Sequence, residues 1–120
     1  MAKLASHGTE LYRYFSPRHC RLLSVRADGR TLSRSPASPR WTHFRQKRAD
    51  FTLAEWTKAA RARYDALPTW AKECKNLPTL AELERMAFTG RALTVTGDEV
   101  EEDGTGKDGA PSWLRALGFI

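Results

Sequence analysis

Long apolar runs are missing from this chain, and none approaches the roughly 18 residues that a bilayer-crossing helix needs. Cysteine is scarce. Its two occurrences, Cys20 and Cys74, lie 54 residues apart, which suits free thiols in a reducing compartment better than a disulfide framework. The opening residues Met1 to Gly8 contain no apolar stretch of the kind that begins a secretory leader, so a cytoplasmic location and no membrane partner are expected. Neither a glycine-rich phosphate loop nor a Ser or Cys nucleophile motif is present. The sequence therefore offers no catalytic residue, and an enzyme is not expected. The remaining scarcity is local: between residues 11 and 48 there is one acid, Asp28, against ten Lys or Arg.

That imbalance organises the rest of the chain. At 120 residues and 13.6 kDa, with 41% hydrophobic residues and a mean hydropathy of -0.56, one globular domain spanning residues 1–120 is expected. Residues 1–63 hold 14 Lys or Arg against 4 Asp or Glu, and residues 64–120 hold 6 against 10. Such separation suggests a basic working face that seeks phosphates or an acidic protein surface, and an acidic tail that screens it or folds against it. A genome rich in arginine codons would give the same composition without any contact.

Residues 1–9 lack periodicity and read as a loose arm. Strands are expected over residues 10–15, 21–27 and 31–34, because aromatic and branched residues there are bounded by Ser16-Pro17 and by Asp28-Gly29, a dipeptide that favours a two-residue hairpin turn. Residues 35–39 carry Pro36 and Pro39 and read as a loop. A fourth strand is expected over residues 41–45, with Trp41, His43 and Arg45 on one face and Thr42, Phe44 and Gln46 on the other. Either face can be the buried one.

Thr52 and Glu55 form a capping box, and Phe51 with Trp56 a candidate hydrophobic staple, at the start of a helix whose Trp56, Ala60, Tyr64 and Leu67 make a core stripe opposite Lys58, Arg61 and Asp65. Residues 67–72 and 77–82 echo each other, each with a threonine after a proline, so two short helices are expected over residues 69–75 and 79–88, the second with a Thr79–Glu82 box and Gly90 at its end. A short hairpin is expected around Thr96-Gly97-Asp98, then a mobile acidic linker over residues 101–109. The apolar end containing Trp113, Leu117 and Phe119 should dock on the core. The fold class is thus α+β: a small N-terminal antiparallel sheet of three to four strands within residues 10–48, packed on a helix, a helical part over 51–90, and an acidic linker with a docked apolar C-terminus over 91–120.

Of the chemical constellations, the basic sheet is the strongest. Arg21, Arg26, Arg30, Arg34, Arg40, Arg45, Lys47 and Arg48 are placed to contact phosphates, with Trp41 or Tyr14 able to stack on bases or to support the sheet. His19, Cys20, His43 and Cys74 are eligible for zinc, but no ligand spacing organises them, so no metal or other cofactor is expected. Glu99, Glu101 and Asp103 before Gly104 match the opening of a calcium loop whose twelfth position is here Ala110, and a solvated acidic segment is the better reading.

At both ends the sequence resembles a loose family of uncharacterised small phage and prophage proteins. The residues carrying this are Met1-Ala2-Lys3-Leu4-Ala5-Ser6-His7-Gly8-Thr9-Glu10-Leu11, Ala27-Asp28-Gly29, Asp103-Gly104-Thr105 and Pro111-Ser112-Trp113-Leu114-Arg115-Ala116-Leu117-Gly118-Phe119-Ile120. The resemblance implies an origin on a mobile element and no particular activity. Where similar proteins often carry cysteine and histidine before the Pro-Ser-Trp-Leu motif, this chain has Gly106-Lys107-Asp108-Gly109-Ala110, with no such ligand. By architecture alone, a three-stranded sheet followed by a helix is also similar to the arm-type DNA-binding domains of phage integrases, whose sheet enters the major groove. The expected function is that of a non-enzymatic nucleic-acid-binding accessory protein in the host cytoplasm. The alternatives are a protein-binding inhibitor of a host factor such as a nucleic-acid-guided defence nuclease, and a minor virion or assembly protein.

Overall fold

Four strands in chain order, β1 (Glu10–Ser16), β2 (Arg21–Arg26), β3 (Arg30–Ser35) and β4 (Ser38–Gln46), form an antiparallel meander. The computed structural model describes residues 8–120. Of the arm expected over residues 1–9, residues 1–7 lie outside the described residues, while the Thr9 carbonyl accepts the Ala27 amide at 2.8 Å and so extends the edge of β1. The turn at Asp28-Gly29 differs from the two-residue hairpin expected. Gly29 N–H closes on the Arg26 carbonyl with φ 95° at the glycine, giving a three-residue connection that ends in a left-handed glycine. Pro39 lies within β4 rather than in a loop, since β4 is an edge strand and an amide facing away from the sheet has no ladder bond to lose.

Alternation along β4 is broken. His43 pairs with Leu32 and Arg45 with Thr31, leaving Phe44 as the extra residue of a bulge. Phe44 therefore turns to the same side as Arg45 and joins the aromatic cluster of Tyr14, Leu23, Val25, Trp56 and Ala60, while Trp41 packs on the opposite side. The expected Trp41, His43, Arg45 face is corrected accordingly: the first two part company with the third.

Helix α1 (Leu53–Asp65) covers the first of these faces. Both hydrogen bonds of the Thr52–Glu55 capping box are made, Trp56 and Ala60 are buried, and Tyr64 stacks on Tyr12 with ring centroids 4.7 Å apart. On the exposed side of the helix Arg61 and Asp65, one turn apart, pair at 3.1 Å. The two echoed segments fold differently. Helix α3 (Leu80–Thr89) starts on a complete Thr79–Glu82 box and stops at left-handed Gly90, whereas α2 (Thr69–Glu73) begins after Pro68 with no side-chain cap. Lys72 stands where the first copy would need an acid to close a box. Replacing Thr79 by Ala should cost about 1 kcal/mol of stability in chemical denaturation, and replacing Thr69 much less.

The C-terminal half packs on one end of the other sheet face. Strands β5 (Arg91–Leu93) and β6 (Glu99–Glu101) form the expected hairpin, and α4 (Trp113–Ala116) buries Trp113 and Leu114. Phe15, Leu22, Cys74, Leu83, Met86, Ala92 and Trp113 share this second core, with Phe15 meeting Trp113 edge to face at 5.7 Å. Phe119 remains 57% exposed, so docking of the terminus stops short of it. The segment expected as a mobile linker is instead tied into turns: the Gly104 carbonyl accepts the Ser112 amide, Gly106 N–H bonds the Ala110 carbonyl, and Thr96 donates to Asp108. Fully buried Ser112, whose hydroxyl donates to the Glu102 carbonyl, is the peg around which they wind.

Candidate nucleic-acid interface

Period-two alternation sends the arginines to both sides of the sheet. Arg26, Arg30 and Arg34 share one side with Ser24, Leu32, Trp41 and His43, as the cross-strand pairs Leu22–Arg34, Ser24–Leu32 and Leu32–His43 require. Arg21 and Arg45 belong to the α1 side, since Arg21 donates to Ser33 Oγ at 3.2 Å and Arg45 lies over the Phe44 ring at 5.2 Å. Arg40 is exposed on β4. Lys47 and Arg48 close the end of β4: Lys47 Nζ donates to the carbonyls of Arg48 and Phe51, and Arg48 pairs with Asp50 at 3.0 Å while lying over Phe51. The single basic face expected from the sequence is thus two faces and a capped corner.

On the side away from α1, Trp41 is the centre. The guanidinium of Arg13 lies 5.1 Å from its ring and that of Arg34 5.5 Å. Arg13 was not singled out by the sequence, although it stands two residues before Phe15 and must share its face. Leu32 is buried yet belongs to neither apolar core; Arg30 and Arg34 flank it two residues away on its own strand, and Ser24 and His43 lie across from it. Arg30 is held by Asp28 at 3.1 Å. Arg26 and Arg34 differ from the rest. Each has a buried Nε with no hydrogen-bond partner among the described residues.

Besides Asp28 on Arg30, this side has a second carboxylate, Glu10. In a regular strand Glu10 and Arg13, three apart, would face opposite ways, but a bulge at Leu11 brings them together at 3.0 Å. Glu10 also accepts from buried Ser24 and stands 3.9 Å from Arg26. Burial acts to raise the Glu10 pKa, but the hydrogen bonds from Ser24 and Arg13 and the charges of Arg13 and Arg26 outweigh it and leave it lowered. A depressed folded pKa means stabilisation that is complete above the ordinary glutamate range and lost as pH falls through the folded value. Glu10→Gln should therefore lower the melting temperature at neutral pH, and its deficit against the parent should vanish in acid.

The α1 side gathers a different set. His19, in the β1–β2 turn, bonds Ser16 Oγ through Nδ1 at 2.9 Å and meets Phe44 edge on at 5.0 Å. Burial, then the charges of Arg45, Arg18 and Arg21, holds its pKa below the usual histidine range. Tyr14 is 8% exposed, too buried for stacking on a base; burial raises its pKa against the opposing charges of Arg63 and Arg45. Cys74 is buried and its thiol is pushed up to about 11 by desolvation, which leaves it an inert core residue at neutral pH. No group of three or more His, Cys, Asp or Glu able to hold a metal occurs among the described residues, and none of their helices is long and apolar enough to cross a membrane.

Comparison of the chain with protein-family models, with curated proteins and with solved structures finds no match.

Proposed function

We propose that this protein is a non-enzymatic nucleic-acid-binding accessory protein of a phage or mobile element, and that Arg13, Arg26, Arg30 and Arg34 hold phosphates on the sheet face centred on Trp41. The observation that carries this reading is the pair of guanidiniums, of Arg13 and Arg34, that lie 5.1 and 5.5 Å from the Trp41 ring on that face. The planar fork of N–H donors on a guanidinium matches the oxygens of a phosphate and gives charge-assisted, bidentate contacts. Trp41 serves this chemistry as a scaffold: a guanidinium lying against an aromatic ring keeps its in-plane N–H groups available for bidentate contacts. The mobile-element origin rests on the resemblance of the terminal motifs.

The test is fluorescence anisotropy with labelled single- and double-stranded DNA and RNA at about 50 and 200 mM salt, a range over which several phosphate contacts cost orders of magnitude in affinity. Tight binding that weakens steeply with salt is expected. No binding at the lower salt would sink the reading. A second reading, a protein-binding inhibitor, is supported by Phe88 at 92% exposure with Leu80, Phe119 and Ile120 also exposed in the C-terminal half, since apolar surface of this kind marks interaction sites. A stoichiometric protein partner retained from nuclease-treated host lysate, together with no nucleic-acid binding, would favour it.

A further inference from the structure

Trp41 and its arginines leave the opposite side of the sheet unexplained. There Arg45 shares the Phe44 ring with His19, Arg18 and Arg21 bracket His19 in the chain, and the charges of Arg18, Arg21 and Arg45 act on His19 as those of Arg63 on α1 and Arg45 act on Tyr14. Among the described residues, no carboxylate pairs with any of these four arginines; the ion pairs of the chain involve Arg13, Arg26, Arg30, Arg48, Arg61 and Arg91. Like charges brought together without acids repel one another, an arrangement that a bound polyanion relieves. Local packing holds Arg21 and Arg45 in place. The Ser16–His19 bond closes the turn, the His19 ring rests on Phe44, Arg45 lies over that same ring, and Arg21 is fixed to Ser33. This is a more positive surface than the Trp41 face, where Glu10 and Asp28 neutralise part of the charge.

We propose that the His19 cluster is a second phosphate-backbone site, so that one molecule holds two nucleic-acid segments on opposite sides of its sheet and bridges them. The geometry supplies the bridging: side chains on the two faces of a sheet point apart, so a straight segment lying on one face cannot reach the other. The identity of the ligand rests on the nucleic-acid reading above, whereas the existence of a second anion site does not.

The experiment mixes donor- and acceptor-labelled duplexes of about 15 base pairs with full-length protein at about 50 mM salt, where phosphate contacts are strongest. The parent protein is expected to give energy transfer between duplexes. Arg18→Gln/Arg45→Gln/Arg63→Gln, a variant at three exposed positions, should bring transfer to baseline while keeping single-duplex affinity within about tenfold, the Trp41 face still contributing its phosphate contacts. Transfer that persists in this variant, or a parent that binds duplex without transfer, overturns the proposal.

If the parent binds no nucleic acid, the nucleic-acid reading fails by itself, and the second site is judged with inorganic tripolyphosphate. Displacement of the His19 ring resonances, assigned by loss in His19→Gln and abolished in the triple variant, sustains an anion site there. Unmoved resonances overturn it.

Discussion

Phe15→Ala is expected to lower stability by about 3–5 kcal/mol, the usual cost of deleting a fully buried aromatic ring. Phe15 has no solvent exposure and touches both Trp113, edge on at 5.7 Å, and Trp70 at 6.4 Å. It therefore belongs at once to β1 and to the core of the C-terminal half. Nearby Leu22 is also fully buried, but the ring contacts to two tryptophans make Phe15 the larger loss. Against a typical net stability of about 5–15 kcal/mol, this one change removes a large share of the total. Urea denaturation followed by tryptophan fluorescence and by far-ultraviolet circular dichroism measures it. A cost under about 1 kcal/mol, far below the range for such deletions, would mean that the two halves do not depend on each other through this seam.

That seam was only half legible in the sequence. The strands, the Thr52 and Thr79 boxes and the Trp56, Ala60, Tyr64 stripe were readable because each is local: a cap and its partner are three residues apart, and a helix face repeats every three or four. The docking of Trp113 was legible as an apolar end that needed a partner, while its partner, Phe15, lies nearly the whole chain away and no pattern names it. The acidic segment misleads for a related reason. Its composition reads as solvated, but Ser112, a single buried hydroxyl, anchors its turns.

The basic surface shows the same division between local and non-local information. Ten Lys or Arg against one acid is a count, and a count has no direction. Direction comes from strand parity, which two bulges alter: one at Leu11 turns Glu10 toward Arg13, and one at Phe44 sends Arg45 to the α1 side. A bulge adds a single residue and flips the face of everything beyond it, but β4 holds too few apolar residues for that change of phase to show in the sequence. Arg63 was not singled out and His19 was weighed only as a metal ligand, because they belong to a helix and to a turn and no strand pattern assigns them to the basic cluster.

The second large effect concerns binding. Arg13→Gln/Arg26→Gln/Arg34→Gln should reduce nucleic-acid affinity by about a thousandfold at low salt, taking each charge-assisted hydrogen bond as worth at least ~1.5 kcal/mol. The same variant should flatten the dependence of log affinity on log salt by about 3, close to one unit per phosphate contact removed. Trp41→Leu separates the scaffold from the charges. It keeps apolar bulk against the core but removes the ring that both Arg13 and Arg34 lie on, so affinity should fall by about fivefold to thirtyfold, two cation–π contacts at ~0.5–1 kcal/mol each, with the salt slope unchanged. Arg34→Lys should resemble Trp41→Leu rather than the triple variant, since the charge remains and the planar fork is lost. A triple variant whose salt slope matches the parent would place the phosphates elsewhere, and the basic side chains of this face would then be read as a docking surface for an acidic protein.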